Sequence, residues 1–241
     1  MEDFRIYDTI DSTNKESHRL LASGQNLHGT AILALHQTEG LGQYGRTWSS
    51  QPGNHLAVSI ILQPDNMLLQ DLSLLSLKTS IAVVRTIHSV APSLNPMIKW
   101  PNDIYIRSLK LAGILIENSI SSSKVQHSII GIGMNVNEAD FPPDLPNPVS
   151  LFILTGKKYE IFNIAKKLRD EVMKVIAEPV EEWKPQYDQL IYGLRKQNDF
   201  EWNGNKVKAT ILGVNDDGKL TLAINGQEGK SYFSHEIKWL K

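Results

Sequence analysis

The sequence predicts an α+β fold, a sheet backed by helices over residues 1–196 followed by a small β-barrel over residues 197–241, and three observations carry that reading. The strand-forming runs TAILALH (30–36) and HLAVSIIL (55–62) flank a glycine-rich loop. Residues 70–90 carry Leu72, Leu75, Ile81, Val84 and Ile87 at three-to-four spacing, the period of an amphipathic helix. From about 199 the pattern changes to short alternating strands, separated by the turn signals Asn215-Asp216-Asp217-Gly218 and Asn225-Gly226.

The remaining elements follow in order. Thr13-Asn14-Lys15-Glu16 has the form of a capping box, with Thr13 accepting from a helix amide and Glu16 reaching back, so a short helix is expected over roughly 14–23. MIKW running into Pro101, LAGILIEN after Lys110 and HSIIGIGMNV from His127 supply three more strands, which form a sheet with the 70–90 helix against it. FPPDLPNPVS (141–150) has four prolines in ten residues and reads as a loop, after which helical patterning resumes over 159–177 and 180–196. A barrel of about forty residues buries little core alone and is expected to lean on the larger domain.

Composition removes several classes of function. At 241 residues, 41% apolar and 21% charged, the chain reads as an ordinary globular protein with no apolar run of the eighteen or so residues a membrane span needs. MEDFRIYDTIDSTN lacks the basic and apolar segments of a signal peptide, so a cytoplasmic protein is expected. The absence of cysteine excludes disulfides and thiol nucleophiles. A net charge of −1 gives no general attraction for nucleic acid or acidic membranes, and any nucleotide bound is expected to be small. Seven scattered histidines without paired ligand spacing give little support to a zinc site.

The chemistry centres on EGLGQYGRTWSS (39–50). Gly40, Gly42 and Gly45 fit the dinucleotide pattern G-x-G-x-x-G, and Gly40 to Thr47 nearly fits a P-loop, with Arg46 in place of lysine. Both require a helix directly after the loop, yet Pro52 and Gly53 break any such helix and a strand follows. The loop instead suits closure over a ligand, or ordinary turns; Arg46 offers charge for a phosphate or carboxylate and Trp48 a face for a purine. KWPNDI (99–104) sets Lys99, Asn102 and Asp103 about a proline-fixed turn, which is also what a plain tight hairpin looks like. GIGMNVN (131–137) breaks a strand with two glycines before Asn135, a mark of close approach by backbone or ligand.

In their order, DSTN, QTEGLGQYGRTWSS, KWPNDI, KLAGIL, GIGMNVN and a C-terminal barrel resemble the biotin protein ligases over nearly the whole chain. The resemblance implies a mixed sheet related to the class II aminoacyl-tRNA synthetase core, followed by an SH3-like barrel. It implies an enzyme that joins biotin to ATP with Mg2+, making biotinyl-5'-AMP, then passes biotin to a lysine of a biotin carboxyl carrier domain. Carried over by position, Ser12, Thr13, Asn14, Gln37, Gly40, Leu41, Gly42, Gln43, Gly113 and Leu115 look like biotin contacts. Arg46, Trp48, Asn102 and Asn135 look like ATP contacts, with Trp48 and Asn135 taking the adenine. Lys110 corresponds to the central catalytic lysine, touching both substrates, with Arg46, Lys99 and Asp103 as further catalytic members. The metal ligands are left unassigned.

Leu41 and Gln43 stand where many members carry arginine, so a less firmly held adenylate is expected. Eleven residues before Ser12 leave no room for the DNA-binding domain some members bear, so a ligase without gene regulation and without a nucleic-acid or membrane partner is expected, as monomer or homodimer. The competing readings are a lipoate or octanoate ligase of the same fold and a non-catalytic biotin sensor; KWPND, GRTW, KLAGIL and Lys110 favour the biotin enzyme.

Overall fold

The computed structural model describes residues 3–48, 51–65, 67–121 and 124–240. Seven strands build the main sheet: β1 (Phe4–Tyr7), β2 (Ala31–Ala34), β3 (His55–Leu62), β4 (Pro96–Lys99), β5 (Asp103–Ile106), β6 (Leu109–Ser121) and β7 (Lys124–Asn135). They lie in the order β1-β2-β3-β7-β6-β5-β4, with β1 parallel to β2 and the other neighbours antiparallel, so the sheet is mixed.

Strand alternation divides this sheet into two unlike faces. Leu56, Val58 and Ile60 of β3 and Ile130, Ile132 and Met134 of β7 belong to the main core, together with buried residues of α2 (Leu72–Val90) and α4 (Ile161–Ala177). On α4 that burial falls on Ile161, Ile164, Ala165, Leu168, Val172 and Val175, a stripe at helical spacing, and each such aliphatic side chain contributes roughly 1.5–3 kcal/mol when fully buried. The opposite face is covered at one end by α1 (Thr13–Leu21), whose Leu20 and Leu21 pack on a small cluster of Leu27, Ile32 and Ile61. The part of that face left uncovered becomes the site.

Two short helices, α3 (Leu151–Thr155) and α5 (Val180–Gln189), complete the main layer. Arg85 of α2 ties the helices together, with Glu178 at 2.7 Å, Glu171 at 3.3 Å and Gln186 at 2.9 Å.

After the helices a five-stranded antiparallel sheet forms from β8 (Gln197–Trp202), β9 (Asn205–Val214), β10 (Leu220–Ile224), β11 (Lys230–Tyr232) and β12 (Ile237–Trp239), in the order β11-β10-β9-β8-β12, as in an SH3-like domain. Asn225-Gly226 and Asn203-Gly204 both take positive φ, as tight hairpin turns demand. Phe200, Ile211 and Leu222 join the same apolar cluster as the main sheet. The link runs through the β4–β5 hairpin, where the Trp100 indole donates to the Gly218 carbonyl at 2.9 Å and the Trp239 indole donates to the Trp100 carbonyl at 3.1 Å.

Several sequence expectations need correction. The capping box at Thr13 does not form: Ser12 is the N-cap and Thr13 already helical. The Thr13 hydroxyl donates to Gln37 instead, and the Glu16 carboxylate accepts from Tyr7 and Arg19, so tertiary partners outbid the local cap. The helix expected to reach 196 stops at Gln189, because Leu190 and Tyr192 pair with Ile98 of β4 and Gly193 takes a φ of 72°. Strands β1 and β5 and helix α3 went unread. β1 is FRIY, β5 is DIYI and α3 is only five residues long, too short to show a helical period.

Candidate active site

Two cross-strand rows form the floor of a cleft on the α1 face. Ala57, Gly133 and Gly113 are register partners across β3, β7 and β6, and Ser59, Gly131 and Leu115 make the next row. Five of the six have a side chain no larger than that of serine, so the sheet is indented there. A Cβ on Gly131 would stand 2.5 Å from Asn14 Oδ1, and one on Gly133 would stand 2.5 Å from the Trp48 ring. The strand glycines therefore do mark close approach, by side chains of α1 and of the loop.

One end of the cleft is neutral and polar. The Thr13 amide and hydroxyl both donate to Gln37 Oε1, at 2.8 and 3.1 Å. Ser59 Oγ lies 2.7 Å from Thr13 Oγ1 and 2.5 Å from Asn14 Oδ1, and Asn14 Nδ2 donates to Glu117 at 2.6 Å. Ser12, Thr13 and Asn14 are buried at the start of α1, where they wall this end with Gln37.

Towards the other end stands Lys110 on β6. Its Nζ is 2.7 Å from Asp103 Oδ1 of β5, an ion contact without a well-directed hydrogen bond, and 5.5 Å from the centre of the Trp48 ring. The Lys110 backbone pairs on both sides with the 147–149 segment, which fixes its position. Asn102 is locked to Ile114 by a two-way exchange, its side chain at 2.8 Å and its carbonyl at 2.9 Å, and also faces the cleft.

The glycine loop is a small hairpin between β2 and β3, with no helix after it, as the dinucleotide and P-loop readings would have required. Leu41 pairs with Thr47, and the Trp48 amide donates to the Gly40 carbonyl at 2.9 Å. Leu41, Gly42, Gln43 and Trp48 face the cleft, while Tyr44 and Gly45 at the tip take φ of 58° and 72° and Arg46 is exposed. Ser49 and Ser50 of the same motif lie outside the described residues.

Ser12, Thr13, Asn14, Gln37, Leu41, Gly42, Gln43, Trp48, Asn102, Lys110, Gly113 and Leu115 are thus brought to one cleft. Five others sit around it. Gly40 is buried beneath the loop, Asp103 stands behind Lys110, and Arg46 is on the outer strand of the loop hairpin. Asn135 is buried and donates to the Val149 carbonyl at 3.1 Å. Lys99 projects to the second sheet, its Nζ 4.8 Å from the Tyr105 ring and 5.0 Å from the Trp239 ring. Sequence reasoning did not single out Ala57, Ser59 or Glu117. Ser59 carried a signal, a hydroxyl at an inward position of an otherwise apolar strand. Among the described residues no group of three or more His, Asp or Glu side chains is arranged to hold a metal ion by itself.

The return arm of the loop is pinned by an acid. The Gln51 amide donates to Glu138 Oε1 at 3.1 Å, and Glu138 is only 3% exposed. Burial pushes its carboxyl up from the ordinary range, opposed by the Gln51 hydrogen bond. A carboxyl raised on folding favours the folded state below its unfolded value, and that contribution is lost as pH rises through the folded value. Glu138→Gln keeps the acceptor and removes the charge, so it is expected to raise the melting temperature at pH 8 and leave it unchanged at pH 4. Equal shifts at both pH values in thermal melts would refute this account.

The biotin/lipoate A/B protein ligase family model matches residues 6–135. The chain is 34% identical to the bifunctional ligase/repressor BirA of Bacillus spizizenii, over 96% of this chain and 72% of that protein. It is 28% identical to the biotin--[acetyl-CoA-carboxylase] ligase of Mycobacterium tuberculosis, over 90% and 81%. In structure it matches the biotin protein ligase of Aquifex aeolicus in complex with biotin and ATP, with a TM-score of 0.80, 25% identity, and coverage of 99% of this chain and 98% of that one. With more than half of the chain under the family model and relatives aligned along nearly all of it, the chain belongs to the biotin/lipoate A/B protein ligase family, among relatives that are biotin protein ligases.

Proposed function

We propose that this chain activates biotin with ATP to biotinyl-5'-AMP and then transfers biotin to a lysine of a biotin carboxyl carrier domain. The observation that carries the proposal is the two-ended cleft, an uncharged hydrogen-bonding pocket at one end and Lys110 towards the other, in a chain whose relatives are biotin protein ligases. Ser12, Thr13, Asn14 and Gln37 take the ureido head, Gly113 and Leu115 lie under the ligand, and Gly40 to Gln43 cover it. The biotin carboxylate then lies beside Lys110, with Trp48, Asn102, Asn135 and Arg46 on the ATP side. Lys99 and Asp103 act as supports of this end, Asp103 by orienting Lys110.

A carboxylate oxygen attacks the α-phosphorus, a P–O bond forms, and the bond to pyrophosphate breaks. Two anions meet, so the developing charge on the phosphoryl oxygens needs cations. Lys110 meets that need from the protein. Mg2+ bound with ATP would supply the rest, and Asp103, the carboxylate beside Lys110, would help hold it, as suits an ion that takes one or two carboxylates and otherwise phosphate oxygens and water. In the second step the carrier amine attacks the acyl carbon and AMP leaves.

The test is to mix the protein with biotin, ATP and Mg2+, quench, and look for biotinyl-5'-AMP by mass spectrometry, with lipoate and octanoate alongside. Adenylate from biotin is expected. Adenylate from lipoate alone would move the chain to the lipoate branch, and none from any acid would leave a sensor.

The loop composition gives a second expectation. Lacking arginine at Leu41 and Gln43, the protein should release free adenylate in a single turnover, and the double substitution Leu41→Arg, Gln43→Arg should slow that release about tenfold, the scale of one charge-assisted hydrogen bond. No free adenylate from the unaltered protein would sink it.

A further inference from the structure

Both amides of the polar end have their orientation dictated by a neighbour that can act in only one way. The backbone amide of Thr13 can only donate, so the group of Gln37 facing it at 2.8 Å is the oxygen, and Gln37 Nε2 is turned towards Gly40 and the loop. The carboxylate of Glu117 can only accept, so the group of Asn14 facing it at 2.6 Å is the nitrogen, and Asn14 Oδ1 is turned to Ser59 and Gly131 on the cleft floor. The pocket thereby presents one fixed donor and one fixed acceptor. That pair matches a cyclic urea, whose carbonyl accepts and whose N–H donates.

Glu117 lies on β6 two residues beyond Leu115, on the floor side of the sheet, and is not itself among the cleft-lining residues. Its side chain is 38% exposed, and its other neighbour is His18, with Nε2 at 3.7 Å. The carboxylate is the terminus of a chain running Glu117, Asn14, Ser59, Thr13, Gln37. An asparagine amide without such an anchor is free to turn by half a revolution, exchanging acceptor for donor at the floor and leaving two donors facing each other when a urea N–H arrives.

We propose that Glu117 is a positioning residue that sets the polarity of the urea-binding end by holding Asn14 with its oxygen towards the cleft. This rests on the biotin reading above and adds to it a residue outside the contact shell. Glu117→Gln is the informative change, because glutamine keeps the shape and can either accept from or donate to Asn14, which releases the lock.

The experiment is calorimetric titration of biotin alone into the unaltered protein, Glu117→Gln, Asn14→Ala and the double variant, with steady-state adenylation beside it. The lock predicts that Glu117→Gln weakens biotin about tenfold, the loss expected for one hydrogen bond to a charged group. It also predicts that the KM for ATP and kcat at saturating biotin change less than twofold, and that Glu117→Gln has no further effect once Asn14 is alanine. An unchanged biotin affinity, an effect that persists in the Asn14→Ala background, or a parallel rise in the KM for ATP would each overturn the role of Glu117 while leaving the ligase reading intact. Absence of biotin binding by the unaltered protein would overturn the ligase reading, and this role with it.

Discussion

Lys110→Ala is expected to slow biotinyl-5'-AMP formation by about 10²- to 10³-fold, the usual consequence of removing one well-placed donor from an oxyanion in transit. The residue is suited to that task by position. It enters at the second residue of β6, its backbone is held on both sides by the 147–149 segment, and Asp103 across the hairpin draws the ammonium to within 2.7 Å. Stability should barely change, because a partly exposed ion pair of this kind is worth about 0–1 kcal/mol and the lysine side chain is 31% exposed. The loss therefore belongs to kcat/KM, read as pyrophosphate release, and not to the melting curve. Lys110→Arg should rescue little: a guanidinium is a planar fork that needs more room than a compact ammonium beside the Trp48 ring. An alanine variant within threefold of the unaltered rate would remove Lys110 from the centre of the chemistry. An intermediate loss accompanied by a lower melting temperature would instead make it a brace for Asp103.

Much of this arrangement was legible in the sequence, and what was not had local physical reasons. Strand β3 is a long run buried on both faces, β7 carries the apolar stretch Ile129–Met134, and α2 and α4 are long enough to display a period, so pattern sufficed. The Asn225-Gly226 turn announced itself by the positive φ it must supply. The capping box at Thr13 misled because its residues find tertiary partners instead: Thr13 donates to Gln37 at the cleft wall, and Glu16 accepts from Tyr7 and Arg19. Lys99 was grouped with Lys110 because both sit in short polar motifs, and no spacing rule tells a lysine that lines the cleft from one whose Nζ lies 4.8 Å from the Tyr105 ring and 5.0 Å from the Trp239 ring. Glu117 and Ser59 were invisible for a different reason. Their contribution depends on which residue of α1 lies above them, and that is fixed by tertiary packing between segments some forty to a hundred residues apart.

Gly131→Ala is expected to cost both stability and biotin. The glycines of the floor are not needed for their backbone freedom, since none of Gly113, Gly131 and Gly133 has a positive φ. They are needed for the space a Cβ would take. At Gly131 that Cβ would lie 2.5 Å from Asn14 Oδ1 and 3.1 Å from both Asn14 Cγ and the Leu115 carbonyl. Neither neighbour gives way cheaply, because the Leu115 oxygen is strand backbone and Asn14 is buried and tied to Ser59 and Glu117. Overpacking of this kind costs about 1–3 kcal/mol, which for a chain of this size lowers the melting temperature by about 3–10 °C. Displacing Asn14 also removes the acceptor from the urea end, so biotin affinity should fall about a hundredfold in the same calorimetric titration. Gly133→Ala supplies the contrast. Its Cβ would meet the Trp48 ring, at 2.5 to 2.9 Å, and that ring is carried by the loop hairpin rather than by the sheet. The loop can swing outward, so the melting temperature should hold within about 2 °C while loop closure over the ligand suffers. If the two substitutions instead destabilise the fold equally, Trp48 is as rigid a part of the floor as Asn14, and the loop does not open by moving that ring.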